Sequence, residues 1–163
     1  MTRNAKTVWV VAIAAAALLA LAWFGRDLIE RGGKTVACSD GPRRTIDIRD
    51  FVTKYSAYSV ELEADIPNKA KFSGKVSPVQ LRQLSESVQT ANEFRKYVVA
   101  GYNSCAITNP QYALYGARFQ ALDSLSRQIN ELAAKPELSS GEKAQVSNLI
   151  REYGELVGKL GTE

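Results

Sequence analysis

The chain has 163 residues, enough for one domain and a short appendage, and it contains no histidine. That absence removes the commonest general base and the commonest metal-binding imidazole. Its 21 basic and 17 acidic residues give a formal net charge of +4, but five of the basic residues and only two of the acidic ones lie in the first 34 positions. The remainder is close to neutral, so we expect no nucleic-acid partner.

An uncharged apolar segment near the N-terminus predicts a membrane anchor. Residues Thr7–Phe24 would span about 27 Å as a helix, close to the roughly 30 Å of a bilayer core. Trp9 and Trp23 lie near the two ends of this segment, where indole rings favour the membrane interface. A cleaved signal peptide is the alternative, but the apolar run continues past its best cleavage site, Ala20–Ala22. We therefore assign residues 1–31 to an N-terminal tail and transmembrane anchor.

The orientation of this anchor is left open by the charges that flank it. The flank after the apolar segment carries more Lys and Arg than the tail before it, which favours a cytoplasmic domain. The short basic tail is instead typical of a signal-anchor, which favours the opposite orientation. Cys38 and Cys105 can decide, because a disulfide between them would indicate an oxidising, extracytoplasmic compartment. Two unrelated buried thiols are the alternative.

The soluble part begins with a segment rich in turn-forming residues and continues with an alternating pattern. Glycine, proline and polar residues over 32–45 predict a juxtamembrane linker, and a short helix is expected over Ile46–Tyr58. Apolar and charged residues then alternate over Tyr58–Ile66 and again over Ala70–Val76, on either side of a Pro67–Lys69 turn. This pattern predicts a β-hairpin.

Three long amphipathic helices follow, each with an N-terminal capping signal. The expected helices begin after Ser77, Thr108 and Ser139, and they end near Ile107, at Pro136 and at Gly161. Short connections between long helices favour antiparallel neighbours. The predicted fold class is mainly α: a transmembrane helix followed by a three-helix bundle with a preceding β-hairpin, the helix-rich domain covering residues 46–163.

A search for chemistry in this domain finds no catalytic, cofactor-binding or metal-binding set. Two distant cysteines without histidine cannot form a zinc site, and no acidic loop has calcium-ligand spacing. Cys105 has no histidine to activate it. The best candidate site is a protein contact formed by Tyr97, Tyr112 and Tyr115 near the bend between the first two long helices, because half-exposed tyrosines suit such contacts.

These observations predict a single-pass, membrane-anchored, non-enzymatic module of the bacterial inner membrane and periplasm. It would act through protein contacts, as a candidate subunit of an envelope complex. As an alternative, the basic tail, single span and helical exterior resemble the inner-membrane spanins of phages, which would imply a role in lysis. The expected hairpin and punctuated bundle depart from the long coiled coil of those proteins. A cytoplasmic-facing adaptor is a third possibility, supported by the Lys/Arg count.

Overall fold

The computed structural model describes residues 33–66 and 70–162, most of which belong to the compact unit Val36–Glu163. The predicted transmembrane anchor, residues 1–31, lies outside the described residues. Within the described ranges, no helix is long and apolar enough to span a bilayer.

The described chain is mainly helical, with one small antiparallel sheet of two strands. We number its strands and α-helices in chain order. The elements are β1 (Thr35–Cys38), β2 (Gly41–Arg44), α1 (Ile48–Tyr55), α2 (Ala57–Asp65), a 3₁₀ turn (Ala70–Phe72), α3 (Pro78–Asn103), α4 (Asn109–Ala134) and α5 (Ser140–Gly158).

The three long helices, α3, α4 and α5, begin at the predicted residues. At each start the capping hydroxyl accepts from a backbone N–H three residues later, and the side chain at that position bonds back to the capping residue. Each such cap typically stabilises a helix by about 1 kcal/mol. The three capping pairs are Ser77–Gln80, Thr108–Gln111 and Ser139–Glu142.

The long helices form a bundle in which the consecutive pair α3 and α4 contact each other little. Helix α5 packs along both of them, and α2 packs mainly along α4. The shared core is therefore built from all five α-helices of the described residues. Its largest fully buried side chains are Phe51, Leu62, Phe72, Leu84, Phe119, Leu122, Ile129, Ile150, Tyr153 and Leu160.

The β-hairpin predicted over residues 58–76 is wrong. The segment AYSVELEAD forms α2; its buried residues Ser59 and Leu62, and the buried Ile66 directly after it, follow helical spacing. Ala, Leu and Glu are strong helix formers, and the apparent alternation put the exposed Val60 on the face expected to be buried. The second expected strand is replaced by the 3₁₀ turn and by a bend at Gly74, where φ is +71°.

The strands lie instead in the segment predicted to be a linker. Residues 35–44 form a ribbon with a two-residue connection, Ser39–Asp40, and Gly41 follows with φ +112°, a value that side-chain-bearing residues rarely adopt. The expected short helix is also divided. Asp47 caps α1, which ends at Tyr55, and Ser56 separates it from α2.

Candidate functional site

Cys38 and Cys105 form the predicted disulfide. Their Cα atoms are 5.4 Å apart, within the usual range for this bond. Cys38 is the last residue of β1, and Cys105 lies just after α3 in the left-handed region at φ +65°. The bond therefore fastens the ribbon to the turn between α3 and α4.

Beside the disulfide, Arg43 of β2 makes non-covalent contacts that also hold the ribbon to the turn between α3 and α4. Its side chain is buried, donates to the carbonyl oxygens of Tyr102 and Ile107, and lies 4.5 Å from the Tyr102 ring centre. It also pairs with Asp40, whose other oxygen accepts from the Asn109 N–H at 2.8 Å. That backbone bond lowers the pKa of Asp40, and Arg43 adds to the effect. No role was predicted for Arg43 from the sequence.

Two of the three tyrosines predicted as a protein contact share a neighbouring ring. Phe94 lies 5.5 Å from Tyr97 and 5.3 Å from Tyr115, measured between ring centres. Tyr97 is 58% exposed, whereas Phe94 and Tyr115 are half-buried against the core. We call Phe94, Tyr97 and Tyr115 the aromatic patch.

The third tyrosine, Tyr112, belongs to a different group of rings. Its ring centre lies 4.3 Å from that of Tyr102 and 5.7 Å from that of Phe51. Burial raises the pKa of Tyr112 well above its usual value, and the neighbouring Tyr55 and Tyr102 act in the same direction. The Tyr112 phenol is thus a protonated, core-packed group, and the structure does not place it in the aromatic patch.

A charged side chain is buried inside the bundle, where most of the buried residues are apolar. Arg95 of α3 is only 2% exposed; its Nη1 donates to Asn92 Oδ1 at 3.1 Å, and its Nε has no hydrogen-bond partner. Asn92 Nδ2 in turn donates to Glu63 Oε1 at 2.8 Å. Burial lowers the pKa of Arg95, although an arginine stays charged across the physiological range.

The burial of Arg95 was not predicted from the sequence, because long basic side chains are usually exposed. Its position does carry a signal. It follows Ala91 by four residues and precedes Val98 by three, so it falls within the buried stripe of α3.

Several grooves open on the surface of the described residues near this region. One, of about 330 Å³, lies between α1, α2 and α3 and has Arg95 in its lining. A second, of about 350 Å³, is lined by residues that include Glu63 and Asn92. A third, of about 950 Å³, is lined mainly by apolar residues that include Phe72, Val76 and Leu81. Over the described residues, no cluster of three or more His, Cys, Asp or Glu side chains could hold a metal ion.

No protein-family model matches this chain, and searches of curated proteins and of solved structures found no match.

Proposed function

We propose that this chain is a non-enzymatic, extracytoplasmic protein-interaction module, held to a membrane by its N-terminal apolar segment. It would bind another envelope protein through the aromatic patch. The observation that carries the proposal is an exposed tyrosine supported from behind by half-buried rings, on a helix of a disulfide-fastened bundle.

The Cys38–Cys105 disulfide supports an extracytoplasmic location for the domain. Structural disulfides persist in oxidising environments and are rare where cellular thiol systems keep cysteines reduced. The bond therefore favours an extracytoplasmic domain over the cytoplasmic adaptor. The compact bundle with short connections also favours a folded module over a spanin-like rod, which would need one long coiled coil.

The aromatic patch supports a binding role for physical reasons. Tyr97 offers a large apolar ring with a polar tip, and tyrosine is enriched among the residues that dominate binding energies. Phe94 packs against the core residue Phe119 with ring centres 6.3 Å apart, so the patch is tied to the bundle interior. A ring held in place before binding loses little conformational entropy when a partner covers it.

Site-specific photocrosslinking in intact membranes tests this proposal. A photoreactive residue at Tyr97 of the full chain should give one discrete adduct with another envelope protein. The matched control is Tyr58 of α2, which is 43% exposed but lies outside the patch. Equal adducts from both positions, or none from Tyr97, would contradict the proposed surface.

A second arm measures the strength of the contact. Tyr97→Ala should weaken capture of the crosslinked partner by about 30-fold, the effect of a binding residue worth roughly 2 kcal/mol, while Tyr58→Ala should not. Thiol labelling tests the compartment separately. A membrane-impermeant maleimide should find no free thiol in intact cells until a reductant is added from outside. Two free thiols that react only after lysis would support the cytoplasmic adaptor instead.

A further inference from the structure

The surface grooves join end to end between α2 and α3. The groove of about 330 Å³ shares Glu63 and Asn92 with the groove of about 350 Å³. The latter shares Ile66 and Ser85 with the groove of about 950 Å³. We call the whole feature, which α3 lines over positions 78–95, the α2–α3 groove.

The packing of α2 explains why this groove exists. Helix α2 packs mainly along α4 and contacts α3 less, so a channel remains between α2 and α3. The two ends of the channel lie about 25 Å apart along α3. The residues of α3 that line it follow one another at intervals of three or four and therefore form one face of the helix; they include Pro78, Leu81, Ser85, Val88, Asn92 and Arg95.

The lining of the α2–α3 groove is apolar toward its ends and more polar in its middle. The apolar residues are Ile48, Val52 and Val60 at the end beside α1, and Phe72, Val76 and Leu81 at the opposite end. Val60 is 37% exposed, which leaves apolar surface for an occupant to cover. The polar residues of the middle are Glu63, Ser85, Gln89, Asn92 and Glu93.

The charged residues are also ordered along the groove. Arg49 and the buried Arg95 line the end beside α1, and Arg82 lines the opposite end. Among the described residues, the middle is lined by the carboxylates Glu63 and Glu93 and by no Lys or Arg. The sign of the charge is therefore positive, negative and positive along the groove. A complementary occupant is negative near both ends and positive at its centre.

The partners that two of these charges have on α3 do not prevent such an exchange. Arg82 lies 3.7 Å from Glu86, and Glu93 lies 2.9 Å from Lys96. Both pairs are exposed, and exposed ion pairs contribute little to stability. The remaining carboxylate, Glu63, bonds to a neutral amide, that of Asn92. This hydrogen bond leaves its negative charge in place.

The length and the mixed lining of the groove restrict the class of occupant. A hydrocarbon chain would cover Glu63, Gln89 and Asn92 without offering them hydrogen bonds, which is costly. An extended peptide would leave its own backbone N–H and C=O groups unpaired, because the helices that wall the groove already use theirs. A helix bonds its backbone internally and presents only side chains.

We propose that the α2–α3 groove binds an amphipathic helix of a partner protein, about 17 residues long. The buried face of that helix has apolar side chains toward both ends and a basic residue at its centre, with an acidic residue near each end. This interaction goes beyond the proposed contact at the aromatic patch, because Phe94, Tyr97 and Tyr115 line no part of the groove.

Photocrosslinking of the full chain in intact membranes, followed by mass-spectrometric mapping of the adduct, tests the proposal. A photoreactive residue at Gln89, which is exposed in the middle of the groove, should react with one segment of a partner protein. The matched control is the next residue of α3, Thr90, which is exposed but lines none of the grooves. Equal adducts from both positions, or none from Gln89, would overturn the proposal.

The mapped segment identifies the class of occupant. It should carry the acidic, basic, acidic order, and a synthetic peptide of that segment should gain helix by circular dichroism when it binds the full chain in lipid nanodiscs. An adduct with a lipid, with a second copy of this chain, or with a segment that binds without gaining helix would contradict the helical partner. A helix without a basic residue at its centre would contradict the charge argument.

A bulky substitution then tests whether the groove itself is occupied. Ser85 is exposed and lines both the middle and the larger apolar part of the groove, so Ser85→Trp should reduce the Gln89 adduct at least fivefold. Thr90→Trp should reduce it less than twofold. Both positions are exposed, so both variants should keep the thermal midpoint of wild type. If Ser85→Trp leaves the Gln89 adduct at its wild-type yield, the partner binds elsewhere and the proposal fails. The comparison of Gln89 with Thr90 stands without this variant.

Discussion

Replacing both cysteines by serine should lower the free energy of unfolding by about 4 kcal/mol. The bond joins positions 67 residues apart, and a loop of that size restricts the unfolded chain by about that amount on the chain-entropy estimate. The folded bundle should persist, because its core is built from the helices and does not include the ribbon. The expected result is thus a large loss of stability with little loss of helix.

The structure also predicts where the folded variant changes. Without the disulfide, the ribbon keeps the hydrogen bonds of Arg43 to the α3–α4 turn. It also stays close to Asn103, whose side-chain amide bonds both backbone groups of Ile46 at 2.9 Å. We therefore expect faster amide exchange over residues 35–44 in the variant, with protection in α4 and α5 that falls only with global stability.

Urea unfolding of the full chain in micelles, followed by far-UV circular dichroism, measures this effect. Wild type should be compared with the Cys38→Ser/Cys105→Ser variant, and with Arg43→Met as a control that keeps the disulfide. A difference below about 1 kcal/mol between wild type and the serine variant would refute the loop-closure argument. A variant without native helix content would refute the claim that the bundle forms independently of the bond.

Three further substitutions test packing and electrostatics. Gly116→Ala should destabilise by about 1–3 kcal/mol, because its Cβ would lie 2.8 Å from Cζ of Tyr55. At Gly158 an added Cβ meets nothing within 4 Å, so Gly158→Ala should instead stabilise the protein by up to about 1 kcal/mol. Equal shifts of the urea midpoint in the two alanine variants would contradict this difference. The hydrogen bond from Lys135, with those from the capping residue, lowers the pKa of Glu142 from 4.5 to about 2. Its contribution is therefore present above pH 4.5 and is lost as pH falls toward 2, so the thermal midpoints of wild type and Glu142→Gln should converge over that range. If the two midpoints instead differ by a constant amount from pH 4.5 to pH 2, the ion pair contributes nothing to stability.

The long helices could be predicted from the sequence because their start signals are local. A capping hydroxyl and its partner three residues later lie within one turn, so Ser77, Thr108 and Ser139 carry their own information. The disulfide could also be predicted, because a chain with only two cysteines allows only one intramolecular pairing.

The region of α2 was mispredicted because part of what makes it a helix is remote in sequence. Its N-cap residue, Ser56, makes no side-chain capping bond. Asp123 of α4 accepts from the backbone N–H groups of Tyr58 and Ser59 instead, at 2.7 and 3.1 Å. A carboxylate at this end of a helix also complements the helix dipole. Such a cap depends on tertiary packing, and no local pattern around residue 58 reveals it.

The burial of Arg43 and Arg95 could not be predicted either, because it depends on tertiary packing. The two arginines nevertheless have different partners. Arg43 satisfies carbonyl oxygens where α3 ends and α4 begins, and it has Asp40 to balance its charge. Arg95 has an amide, Asn92, and an unpaired Nε. Both arginines leave a buried Nε without a hydrogen-bond partner, so an unpaired Nε does not distinguish Arg95 from Arg43. They differ in how the charge is balanced: Arg43 pairs directly with Asp40, whereas Arg95 reaches Glu63 through the Asn92 amide. A direct ion pair and an amide relay both depend on tertiary packing, which is why neither could be predicted from the pattern of apolar and charged residues.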